Sequence, residues 1–133
     1  MASNVANSTI KVQGRCPDRR RDVANREDAI LLVQLAQWGS TMGIEEAQHA
    51  VWSDTFDPET ASAEDVLVSR ILTWGETVGT LTKNGLLDTD LVLDWLWVSG
   101  LWTRVGPAAV KLREKHGVPE LYENFEALAT RQG

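Results

Sequence analysis

One cysteine, two histidines and four prolines in 133 residues are small numbers, and the first two close off whole classes of protein. Cys16 has no partner for an internal disulfide, so neither a disulfide-stapled secreted domain nor a structural zinc site built on several cysteines fits, and a reducing cytoplasm suits the chain best. No stretch reaches the ~20 apolar residues that a spanning helix needs, and MASNVANSTIKVQGRC has no apolar run like a signal-peptide core. The expectation is therefore a cytoplasmic protein with no membrane partner. The zinc-protease motif, the phosphate-binding loop and a serine in a Gly-x-Ser-x-Gly turn are all missing from the sequence.

Charge is plentiful but unevenly placed. The first 26 residues carry six basic side chains (Lys11, Arg15, Arg19, Arg20, Arg21, Arg26) against two acidic ones, and the remaining 107 carry 7 basic against 17 acidic. An acidic body repels phosphate backbones, which argues against nucleic acid as a partner of the fold itself. The cluster Arg15, Arg19, Arg20 and Arg21 is the one candidate for an anion, nucleic acid included. It also surrounds Cys16 with positive charge, which favours the thiolate, although no base stands beside it in the sequence.

Residues 1–24 mix Ser, Asn, Gly and Pro without a lasting period and read as a basic, flexible or extended arm, with room for a short strand near Ser8 to Val12. From Asn25, a plausible N-cap, the pattern becomes helical through Trp38, with Gly39 and Gly43 as its end. A short helix from Glu45 to Trp52 follows, then the Pro58 loop. Ser62 reads as the cap of a central helix whose apolar stripe is Leu67, Ile71, Trp74, Val78 and Leu81, with Val68, Leu72, Gly75 and Gly79 beside it. Asn84-Gly85 ends it, and Asp88 caps a further helix through Leu91 to Val98 that is apolar nearly all round. The segment after Ser99-Gly100 calls for a kink or a helix start at Pro107, and Pro119 reads as the first residue of a terminal helix whose inner face is Leu121, Tyr122, Phe125, Leu128 and Ala129. The fold expected is all-α: one bundle of five to six helices over residues 25–133, behind the arm.

Chemistry-bearing patterns are thin. Glu46-x-x-His49 places two metal-ligating groups on one helix face, but a carboxylate-bridged metal pair needs a second such motif, and Arg113 stands where His116 would need its glutamate. No metal, cofactor or catalytic residue is assigned. The six tryptophans, Trp38, Trp52, Trp74, Trp95, Trp97 and Trp102, are the strongest oddity, since tryptophan concentrates where surfaces meet. Trp95 and Trp97 point about 160° apart on one helix and cannot both face a small core without further cover. A second subunit would supply it, so Leu91, Trp95, Trp97, Val98 and Leu101 are the expected contact of a homodimer that also binds a protein partner. An apolar pocket formed by Trp74, Glu76, Trp102 and Arg113, with Glu76 or His49 as the polar handle, is the alternative and would make the chain a ligand carrier or enzyme; a regulator that uses the basic arm on nucleic acid is a further one. Periodicity by itself puts Glu76 on the outer face, beside Thr80 and Lys83.

The run ILTWGETVGTLTKNGLLDTDLVLDWLWVSGLWTRVGPAAVKLREKHG, followed by LYENFEALA, resembles a family of small uncharacterised bacterial helical proteins. These have a Trp-x-Glu-x-x-Gly helix, a Gly-Leu-Leu-Asp turn and a Tyr-Glu-Asn-Phe-Glu motif. The resemblance covers residues 71–129 and marks Trp74, Glu76, Gly79, Gly85, Trp102, Pro107, Arg113 and Phe125 as signature positions. It implies an all-helical fold and a pairing of Glu76 with Arg113, and it carries no activity with it.

Overall fold

Among residues 23–132, which the computed structural model describes, the chain folds into six helices and no strand. They are α1 (Arg26–Met42), α2 (Ile44–Trp52), α3 (Val66–Lys83), α4 (Thr89–Trp95), α5 (Val98–His116) and α6 (Glu123–Gln132). The expected arm lies outside the described residues, apart from Val23 and Ala24.

The double apolar row of α3 explains its place. Val68, Ile71, Leu72, Trp74, Gly75, Val78 and Gly79 are all buried, so the helix is covered on a broad arc and touches α1, α2, α5 and α6. Asp65, three residues after the expected Ser62, is its true cap: one carboxylate oxygen accepts from the backbone N–H of Leu67 and Val68. Ser62 instead closes the preceding turn by accepting from Glu64 N–H.

Asn25 caps α1 as its sequence suggests, in a reciprocal arrangement with Asp28. Asp28 also accepts from the backbone N–H of Asp88 at 3.0 Å, which fastens the start of α1 to the start of α4. Gly39 does not end α1; the helix runs on to Met42, and Gly43 turns the chain at φ 79°. Gly39 is small because the Trp74 indole lies against it, 3.1 Å from where a Cβ would stand.

Two expected boundaries move. The apolar helix from Leu91 to Val98 is broken: α4 ends at Trp95, Leu96 is extended, and α5 begins at Val98 and runs through Pro107. Pro107 costs one hydrogen bond, to the carbonyl of the exposed Thr103, which water can satisfy. The last helix starts at Glu123 and not at Pro119, after a turn that ends on Tyr122 at φ 59°.

The basic stripe of α5 holds the long loop between α2 and α3. Arg104 donates to the carbonyls of Val51, Ser53 and Phe56 and lies over the rings of Phe56 and Trp52. Lys111 reaches the Glu59 carbonyl, and Lys115 pairs with Glu64 at 3.0 Å. Cations on one helix thus supply donors to carbonyls of the loop and of the end of α2.

Candidate functional site

The residues expected to form a contact fall on both sides of the α4–α5 break. Val98 and Leu101 turn inward and are 3% and 5% exposed, so they belong to the core and to no surface contact. Leu91 and Trp95 are half-buried, Trp95 packing edge-on against Trp74 with ring centres 5.5 Å apart. Trp97 alone is turned out, 64% exposed. The break resolves the 160° conflict between the two indoles without a second subunit: one goes in and the other goes out.

Three side chains or their absence fix Trp97. Its ring lies nearly parallel to that of Trp52, at 9° with centres 5.2 Å apart, and Trp52 is itself 39% exposed. Gly100 lies beneath it, where a Cβ would come within 2.4 Å of the indole. Gln132, at the end of α6, bridges the break itself: its amide nitrogen donates to the carbonyls of Leu93 and Leu96 at 3.1 and 3.0 Å, and its amide oxygen accepts from Ser99 N–H at 2.7 Å. One side chain therefore satisfies the last carbonyls of one helix and the first N–H of the next. The result is a two-ring aromatic platform on a rigid base.

The alternative set does not gather round a cavity. Trp74 is 3% exposed and donates its indole N–H to the Leu35 carbonyl. The void beside it, against Phe125 and Leu128, measures only about 10 Å³, at the threshold for a single water. Glu76 does not pair with Arg113. Its carboxylate accepts from the backbone N–H of Asn124 and Phe125 at 3.0 and 2.9 Å, and from the Asn124 side chain, so it caps α6 from the neighbouring helix. This contact brings Glu76 inward from the exposed position that periodicity gives it, to a half-buried one. Arg113 serves the same end of α6: its Nε donates to the Leu121 carbonyl, its Nη2 lies 2.9 Å from Glu126 but off the line of a hydrogen bond, and the guanidinium covers Trp102. Trp102 in turn meets Phe125 edge-on at 5.1 Å. Each of the four thus makes contacts within the bundle.

Glu46 faces Arg70 at 3.6 Å and His49 points to solvent; among the described residues no three potential ligands come together. Arg15, Arg19, Arg20 and Arg21 lie outside the described residues. An open polar groove of about 500 Å³, lined by Glu27, Lys83, Leu86, Asp88 and Arg131 among others, runs between the starts of α1 and α4.

A second apolar surface has no counterpart in the sequence reading. On α1, Ile30 and Val33 are more than half exposed and Trp38 more than a third. Periodicity identifies the helix, yet Ile30, Leu31, Val33, Leu35 and Trp38 spread round most of its circumference, so the pattern cannot say which of them face the core. The length of the uncharged run in α1 is the signal that could have marked the surface.

The chain belongs to the family described as Domain of unknown function (DUF4760), whose model matches residues 18–132. The match extends well beyond the resemblance over residues 71–129 and takes in all of the described residues. No curated protein and no solved structure matches the chain.

Proposed function

We propose that this family member is a non-catalytic interaction protein, one that self-associates and binds a protein partner. The observation that carries the reading is Trp97, a large aromatic held in solvent on a rigid base. Trp52 stacks on it, Gly100 makes room for it, and three hydrogen bonds from Gln132 fix the chain on either side. A flat indole pair whose position is fixed before contact loses little entropy when a partner covers it, which is the economy of an interaction hot spot. The proposal also draws on the fate of Trp74, Glu76 and Arg113, each of which makes a hydrogen bond within the bundle, and of Trp102, which the Arg113 guanidinium covers.

Native mass spectrometry of the full chain tests this. The expected spectrum is a dimer with no added mass. A monomer that carries a co-purified small molecule would replace the proposal with a ligand-binding one.

A further inference from the structure

α1 is a 17-residue helix that buries only Asp28, Leu35 and Gly39, whereas α3 buries 8 of its 18 residues. From Ala29 to Ile44 the chain runs sixteen residues without a charge, longer than any other uncharged run between Glu27 and the last residue. At 100° per residue, Ile30, Gln34, Gln37 and Thr41 lie within about 60° of one another on the outer face, with Val33 on one flank and Trp38 on the other. All six are exposed.

We infer that this face of α1 packs antiparallel against the same face of a second copy. The inference rests on the self-association reading and assigns its contact to α1, leaving the Trp52–Trp97 platform free for a protein partner. Two arguments name a second copy as the occupant. The first is charge: residues 27–133 hold 17 acidic and 7 basic side chains, so two copies repel across most pairs of faces, and from Ile30 to Thr41 the outer face of α1 presents neither sign. The second is self-complementarity about a two-fold axis. An antiparallel crossing centred between Leu35 and Ala36 sets each Ile30 level with the other copy's Thr41, and each Gln34 level with the other copy's Gln37. Each side-chain amide there can both donate and accept. The same crossing carries the exposed Arg26 towards the start of the other copy's α2, where Glu45 and Glu46 are exposed. A parallel pair would instead set Arg26 against Arg26, and would align the two helix dipoles unfavourably.

The test is the oligomeric state of the full chain by light scattering, together with cysteine pairing. The Cys16→Ser chain should be a dimer. Val33→Glu and Ile30→Glu should each be monomers with unchanged helical circular dichroism, because both side chains already meet water, and Trp97→Ala should remain a dimer. With Cys16→Ser as background, chains carrying Ile30→Cys and chains carrying Thr41→Cys, mixed and oxidised, should give chiefly the mixed disulfide. In an antiparallel pair two Ile30 positions lie ~16 Å apart along the axis, at 1.5 Å per residue. Homodisulfides at position 30 would overturn the antiparallel pairing. A dimer that survives both glutamate variants but is lost in Trp97→Ala would overturn the α1 contact and leave the self-association reading standing. A monomer at every soluble concentration would overturn both, and a monomer that floats with phosphatidylglycerol vesicles would give the α1 face to a lipid surface instead.

Discussion

Glu76 lies in the middle of α3, yet its carboxylate accepts from the backbone N–H of Asn124 and Phe125 in the first turn of α6. Removing it in Glu76→Ala leaves two N–H donors and the Asn124 amide without that acceptor. The expected loss is about 2 kcal/mol in urea unfolding, with Glu76→Gln intermediate because one amide oxygen can still accept. Faster amide exchange at Asn124 and Phe125 than elsewhere in α6 would locate the effect; uniform exchange would count against the cap. Gly79 makes the same contact possible. A Cβ there would stand 2.4 Å from the Asn124 carbonyl oxygen, a backbone atom that cannot step aside alone. Gly79→Ala should therefore cost about 3 kcal/mol. Gly117→Ala, at φ 68° with open space around it, should cost only about 1 kcal/mol from the left-handed backbone. Equal melting temperatures for the two variants would contradict this ranking.

Among elements, α6 acts as a splint. Its first turn is held by Glu76 and Arg113 and by Phe125 against Gly75 and Trp102, and its end by Gln132, which spans the α4–α5 break. Gln132→Ala should cost about 1–2 kcal/mol. It should also speed amide exchange at Ser99 and loosen the Trp97 ring, seen as faster indole motion in NMR relaxation; an unchanged Ser99 amide would remove the splint from the account. The helices themselves are legible in the sequence. The Leu67 to Leu81 stripe, the Asn25 and Asp88 caps and the Asn84-Gly85 stop lie where a one-dimensional pattern puts them. What local pattern misses comes from distant partners. Asp65 and Ser62 are equally good caps on paper, and only the built turn chooses between them. The break at Leu96 depends on a glutamine 36 residues away, and the start of α6 on a glutamate 47 residues before it. Burial of Val98 and Leu101, and exposure of Trp97, follow from that break. Of the five residues expected at the contact, Trp97 alone is turned out to solvent.

At the scale of the whole molecule, the bundle is packed on three sides of α3 and thin at α1. The helices round Phe125 interlock so closely that the void between them is about 10 Å³, and a ligand of any size would have to open the core to enter. Among the apolar side chains left over, Ile30, Val33 and Trp38 on α1 and the Trp52–Trp97 pair by the α4–α5 break stand in water on a strongly acidic body. On the proposed reading, association would bury them and offset the apolar exposure that the bundle alone does not relieve. High salt should strengthen such a contact, or leave it unchanged, by screening repulsion between the acidic bodies; weakening with salt, followed by light scattering, would mean that ion pairs carry the interface. The most direct test of association as the way this chain acts is sedimentation equilibrium of the full chain over a wide concentration range. The account predicts a mass twice that of the chain, approached reversibly as concentration rises; a single-chain mass throughout would contradict it.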